Sequence, residues 1–345
     1  MTTTKPYLRI ATEEAFCPRE MLDIYRRIIN EGTLDDPGFV SQWGYFLDSD
    51  SERSVFVREA LCSLGEDRIA NMDKAGIDQA ILSLTSPGVQ CMERAQAVEF
   101  AVMANDYLAA GIERYPDRYF GLTAIAPQDP ERAAREIERG HAMGFKGVII
   151  NSHTRNEYMD DEKYDPIFAA AQALDTPIYM HPTTPSKDMV RPMMSRGLDG
   201  SIYGFSVETA IHLLRIVISG VLDRFPRLKL VAGHCGEAIP FWLYRLDHMH
   251  AAMIKAKRYQ GVRPLERKIS EYVTQNFWVT TSGMAWVPAI EFCQRVMGID
   301  RVMYAMDYPY QYVPEEVTWT EKVQVSADDM KKLFQTNAER VFNLR

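Results

Sequence analysis

Short apolar runs, each ending in small or polar residues, recur along the chain: 8–16 (LRIATEEAF), 79–86 (QAILSLTS), 119–127 (YFGLTAIAP), 146–153 (KGVIINSH), 176–182 (TPIYMHP), 229–236 (KLVAGHCG), 277–283 (FWVTTSG) and 301–310 (RVMYAMDYPY). Barely punctuated runs of this length are what parallel strands look like when both faces of the sheet are covered. Between them lie segments of helical pattern, among them 18–30, 95–115, 130–143, 164–174 and 206–225. In the last, Val207, Ile211, Leu214 and Ile218 recur at helical spacing and predict a core-facing stripe. Eight strands mostly separated by helices predict an α/β fold, a (β/α)8 TIM barrel spanning 1–345 as a single domain. An open doubly wound sheet is the competing arrangement, but no Gly-x-Gly-x-x-Gly or Gly-x-x-x-x-Gly-Lys loop follows any strand. Residues 32–64 break the rhythm with Asp-Asp-Pro-Gly, Trp43, Tyr45 and the polar run from Asp48 to Arg53. An insertion of that size between the first two strands predicts a lid or an interface element.

Polar residues gather at the C-terminal ends of the predicted strands, the edge at which parallel α/β folds place their chemistry. The first run offers Glu13 or Glu14; neighbours in a strand face opposite sides, so at most one of them enters a shared pocket. The fifth offers His181 before Pro182, the sixth His234 between Gly233 and Cys235, and the eighth Asp307. A lone strand-end His is more often a hydrogen-bonded structural residue, and Asp307 before Pro309 also reads as a turn cap. Acid or imidazole groups at four strand ends point instead to a divalent ion such as Mn2+ or Zn2+, with positions open to water or substrate. His153 is a weaker candidate beside Asn151 and Ser152; His141, His212, His248 and His250 fall in helical stretches and read as surface or core.

The net charge of −8 without a long basic run argues against nucleic acid and an anionic membrane surface as partners. A small acidic ligand would need a locally positive pocket. No run of eighteen apolar residues and no leader-like N-terminus is present, so the expected location is cytoplasmic. Cys17, Cys62, Cys91, Cys235 and Cys293 are scattered, without a Cys-x-x-Cys pair, and are expected to be reduced.

The segments GLTAIAPQDP, GFKGVIINSH, YMHP, VAGHCGEAIPFWLYRLD and YAMDYPY resemble the amidohydrolase-2 branch of the amidohydrolase superfamily, which holds aminocarboxymuconate semialdehyde and γ-resorcylate decarboxylases. Within it, IATEEAF, LTSPGVQ, VMYAMDYPYQYV and LFQTNAE are most similar to the 5-carboxyvanillate decarboxylases of lignin-degrading bacteria, and the resemblance covers essentially the whole chain. It implies that Glu13, His181 and Asp307 ligate one divalent ion, without an organic cofactor. Related decarboxylases often carry Glu-x-His at the end of the first strand, where this chain has Glu13 and Ala15. Losing that imidazole leaves an oxygen-rich set, which favours Mn2+ over Zn2+. The resemblance further implies that His234 stands by the substrate, that Arg53 and Arg245 grip substrate carboxylates, the latter across a subunit boundary, and that Tyr310 lines the same pocket. Without it, both arginines read as surface ion pairs.

The implied reaction is non-oxidative decarboxylation of an ortho-hydroxy aromatic carboxylate, 5-carboxyvanillate to vanillate and CO2, with Asp307 as proton donor. γ-Resorcylate is the neighbouring substrate to consider. The open alternatives are a metal-dependent lactone or amide hydrolase and a barrel that binds an aromatic acid without turnover. A dimer or tetramer is implied, with 32–64 and 238–257 as the segments to examine for its interface.

Overall fold

The computed structural model describes residues 6–344, so the first five residues of the N-terminal stretch lie outside the described residues. Its eight strands are β1 (Ile10–Phe16), β2 (Gln79–Leu84), β3 (Tyr119–Ala124), β4 (Gly147–Asn151), β5 (Ile178–His181), β6 (Leu230–Ala232), β7 (Phe277–Thr280) and β8 (Val302–Met303). They pair in sequence order, every pair parallel, in a nearly closed barrel wrapped by the intervening helices. β4 and β5 are wholly buried and rich in branched or bulky residues, as double coverage requires. Among the described residues, no helix is long and apolar enough to cross a membrane.

The eighth strand is shorter than the run 301–310 predicts. Beyond Met303 the chain stays beside β1, but its amides are claimed from elsewhere: Tyr304 N donates to the Leu333 carbonyl, and Met306 N and Tyr308 N donate to the Glu14 carboxylate. The seam is completed by Thr12 N to Tyr304 O at 3.1 Å and Ala15 N to Tyr308 O at 2.7 Å. A side chain thus does part of what a ladder would do, and the Asp307 loop is pinned by it.

Between β1 and β2 run α1 (Arg19–Glu31), α2 (Pro37–Asp48), α3 (Glu52–Leu61) and α4 (Glu66–Ala75). The insertion 32–64 is therefore mostly helical, with Asp36 capping α2 through the Phe39 amide and Ser51 capping α3 through that of Ser54. Trp43 is buried, its indole donating to the Ser86 carbonyl at the end of β2, which anchors α2 over the barrel mouth.

The segment 206–225 is two helices, Gly204–Ile218 and Val221–Arg224, separated by Gly220 at φ +75°. Its predicted core stripe is only half right: Leu214 and Ile218 pack against the core, but the most deeply buried face lies beside the stripe. The buried face carries Glu208, Thr209, His212, Leu213, Ile216 and Val217, whereas Val207, Ile211 and Leu214 are half-buried in a groove with Ile239, Trp242 and Leu246. Two ionisable groups on the barrel side shifted the visible apolar pattern by one face. Glu208 accepts from Ser152 and Tyr158, and His212 Nε2 accepts the Met159 amide at 2.9 Å.

Candidate metal centre

Glu13, His181 and Asp307 converge at the barrel mouth, each offering one ligand atom, and these atoms all lie within 4.8 Å of one another. Glu13 comes from the inner face of β1. A register shift between Ala11 and Glu14 interrupts the pairing with β2, and the two adjacent carboxylates part company there: Glu13 points inward, Glu14 into the seam. His181 is the last residue of β5. Its Nδ1 lies 2.8 Å from the Pro182 carbonyl, so the proton sits on Nδ1, and Nε2 faces Glu13 Oε1 at 3.4 Å with its lone pair free. Asp307 follows β8 at φ +73°, a left-handed conformation that Asp tolerates better than most residues, and this turn aims its carboxyl back into the barrel.

The donor set fits a divalent ion. Glu13 Oε1 is buried and has no hydrogen-bond partner, which in a dry interior is costly unless a cation takes the place of a donor. Two carboxylate oxygens and one imidazole are a mixed, oxygen-rich set of the kind that suits Mn2+.

His234 completes the cluster, with Nε2 at 3.9 Å from Glu13 Oε1 and Nδ1 at 2.7 Å from Glu237 Oε1. The backbone turns sharply here: His234, Cys235, Gly236, Glu237 and Ala238 all have positive φ. That unusual run lets a carboxylate three residues on reach back to the ring. Burial by itself would lower the His234 pKa, but the Glu237 and Glu13 carboxylates outweigh it and push it up to about 10. Asp307 moves the same way for a different reason. Burial, then the charge of Glu13, raise its carboxyl well above the usual range, against the opposing effect of His234. Burial lowers the His181 pKa, with Glu13 opposing, which favours the neutral ring a ligand needs.

Arg53 lies on α3 and donates through Nη2 to the Tyr310 carbonyl at 2.9 Å; the Tyr310 hydroxyl is 2.6 Å from Thr85 Oγ1 at the end of β2. Both therefore stand on the rim near Asp307. Arg245 does not join them. It is exposed on the helix Ile239–Ala256, next to exposed Tyr244, without a hydrogen bond or ion pair to the described residues. His153 is no ligand candidate: its Nδ1 accepts the Asn156 amide and its Nε2 donates to the Thr184 carbonyl. Sequence reasoning missed Glu237, Tyr179 and Thr280. Tyr179 was accessible to it, being two residues before His181 and hence on the same face of β5.

A parallel eight-stranded barrel with two carboxylates and an imidazole converging at the C-terminal ends of its strands defines the class of barrels built around one divalent ion. The chain belongs to the amidohydrolase family, whose model matches residues 43–344. A solved 5-carboxyvanillate decarboxylase from Novosphingobium aromaticivorans, complexed with manganese and 4-hydroxy-3-methoxy-5-nitrobenzoic acid, is 54% identical, with a TM-score of 0.96 over 98% of this chain and 97% of that one. The 5-carboxyvanillate decarboxylase of Sphingomonas paucimobilis is 38% identical, with a TM-score of 0.91 over 98% and 99%. A γ-resorcylate decarboxylase from Polaromonas is 34% identical over 97% of this chain and 98% of its own length.

Proposed function

We propose that the protein is a manganese-dependent carboxy-lyase that converts 5-carboxyvanillate to vanillate and CO2. The observation that carries this reading is the cluster of Glu13, His181 and Asp307 in a chain 54% identical to a manganese-bound 5-carboxyvanillate decarboxylase. We read residues 1–345 as one domain in which 32–64 shapes the mouth.

Loss of CO2 from an aromatic carboxylate would leave an aryl carbanion unless the ring carbon is protonated first. Glu13, His181 and Asp307 would hold the divalent ion, which would supply the positive charge that orients the anionic substrate. Asp307 is the proton donor. Burial and the charge of Glu13 raise its carboxyl well above the ordinary carboxylate range, the direction a proton donor needs, and the ortho phenolate pushes electron density onto the carbon that receives it. The bond to the carboxylate then breaks, its electron pair restores the aromatic ring, and CO2 leaves. His234, held by Glu237, faces the same space and donates a hydrogen bond to the substrate. Arg53 and Tyr310 bound the pocket from the rim, where Arg53 pairs with the substrate's remaining carboxylate. Arg245 serves the same end from a second copy of the chain, which its exposure on the Ile239–Ala256 helix, beside Phe241, Trp242 and Tyr244, supports.

The test is absorbance-monitored formation of vanillate by metal-stripped protein resupplied with Mn2+ or Zn2+. Restored loss of the carboxylate supports the lyase; γ-resorcylate turned over in preference reassigns the substrate; hydrolysis of a lactone without CO2 release overturns the reaction class.

A further inference from the structure

Glu13 presents its two oxygens to different surroundings. Oε2 accepts from the Tyr179 hydroxyl and, at 3.1 Å, from Thr280 Oγ1. These two hydroxyl oxygens are themselves 2.9 Å apart, and both residues are fully buried. Gly233 closes the third side, since a Cβ there would stand 2.6 Å from Oε2. Oε1 has no donor at all and faces His181 Nε2 and His234 Nε2. The three supports come from the end of β7, the middle of β5 and the residue after β6, so three separate strands of the barrel fix one carboxylate.

We propose that Tyr179 and Thr280 are positioning residues that clamp Oε2 of Glu13, leave Oε1 as its single ligand atom, and thereby set the affinity of the site for a divalent ion. The proposal rests on the reading of Glu13, His181 and Asp307 as the metal ligands. A carboxylate free to rotate can offer either oxygen or both, and loses rotational freedom each time an ion binds; one already hydrogen-bonded through Oε2 has lost it on folding. The donors also work in only one sense. A phenol and an alcohol give protons to a carboxylate without neutralising it, so Oε1 keeps its charge for the cation. Either both hydroxyls donate to Oε2, or Thr280 donates to Tyr179 and Tyr179 alone to Glu13; in both cases the Tyr179 proton is indispensable. Outer groups of this kind typically change metal affinity about 10–100-fold.

The experiment is titration of metal-stripped full-length protein with Mn2+, following the free aquo ion by electron paramagnetic resonance, for the native chain, Tyr179→Phe, Thr280→Val and Thr280→Ser. Circular dichroism and thermal melts of the stripped proteins establish that each variant is folded. The expected result is a loss of Mn2+ affinity of about 10-fold or more in Tyr179→Phe, a smaller loss in Thr280→Val, and recovery in Thr280→Ser. A folded Tyr179→Phe that binds Mn2+ within fivefold of the native chain overturns the clamp while leaving the metal site standing. If Tyr179→Phe fails to fold, equal affinity in Thr280→Val and Thr280→Ser overturns it instead. Failure of the native chain to bind Mn2+ overturns the metal-site reading, separately from the clamp.

Discussion

Glu13 and Glu14 are the same residue type at adjacent positions, and their different fates come from what surrounds each. Glu13 is hydrogen-bonded on one oxygen and bare on the other, as a ligand needs to be. Glu14 has both oxygens taken by the Met306 and Tyr308 amides, and burial pushes its pKa up to about 8. The amide pair fixes the backbone on both sides of Asp307, so on the proposed reading one glutamate binds the ion while the other holds the loop that carries the acid. Asp307 is where a conservative change should be most informative. Asp307→Asn removes the transferable proton at nearly constant shape. We expect turnover to fall by about 10²–10⁴-fold, with the circular dichroism spectrum unchanged; a variant retaining more than a tenth of native activity would exclude Asp307 as the donor.

At the scale of elements, the loops are held by buried polar groups rather than by apolar packing alone. Arg68 of α4 is one of the largest fully buried side chains. It donates to the carbonyls of Ala15, Ala60 and Ser63 and lies 4.7 Å over the Tyr308 ring, tying the end of β1 and the end of α3 to the residue after Asp307. Arg68→Met should cost at least about 2 kcal/mol, since each buried carbonyl left unpaired costs roughly 1–3 kcal/mol; denaturant unfolding measures it. His212 plays the same part on the opposite side, accepting the Met159 amide and contacting Ser152. Burial, then the charge of His153, lower its pKa to about 3. The sign follows directly: the unfolded chain takes up a proton near the ordinary histidine value while the folded chain does not. Stability is therefore lost as pH falls from about 6.5 towards 3, by at most about 1.4 kcal/mol per pH unit from this one group. His212→Gln should flatten the pH dependence of unfolding between pH 6 and 4.5; an unchanged slope would mean that other groups dominate it.

For the molecule as a whole, the ion links stability to chemistry. The middle of β1, the end of β5 and the segment after β8 meet only in the folded barrel, so an ion that binds there binds the native state alone. Mn2+ at about 100 times its Kd should add roughly 2.7 kcal/mol of stability, visible as a higher melting temperature than that of the stripped protein and reversed by chelator. No shift would count against the site. Much of this architecture was legible in residue order. Eight apolar runs of strand length, helical segments between them, and acid or imidazole groups at their ends define a parallel barrel and its functional edge, because double burial and strand alternation write themselves into local composition. What local pattern could not decide is which of two equivalent choices a distant partner makes. Only the closure of β8 against β1 assigns Glu14 to the seam, and only the meeting of β1, β5 and β7 joins Tyr179 and Thr280 to Glu13. The most buried face of the Gly204–Ile218 helix lies beside its apolar stripe rather than on it because Glu208 and His212 find hydrogen-bond partners in the interior, an energy that hydrophobic periodicity does not record.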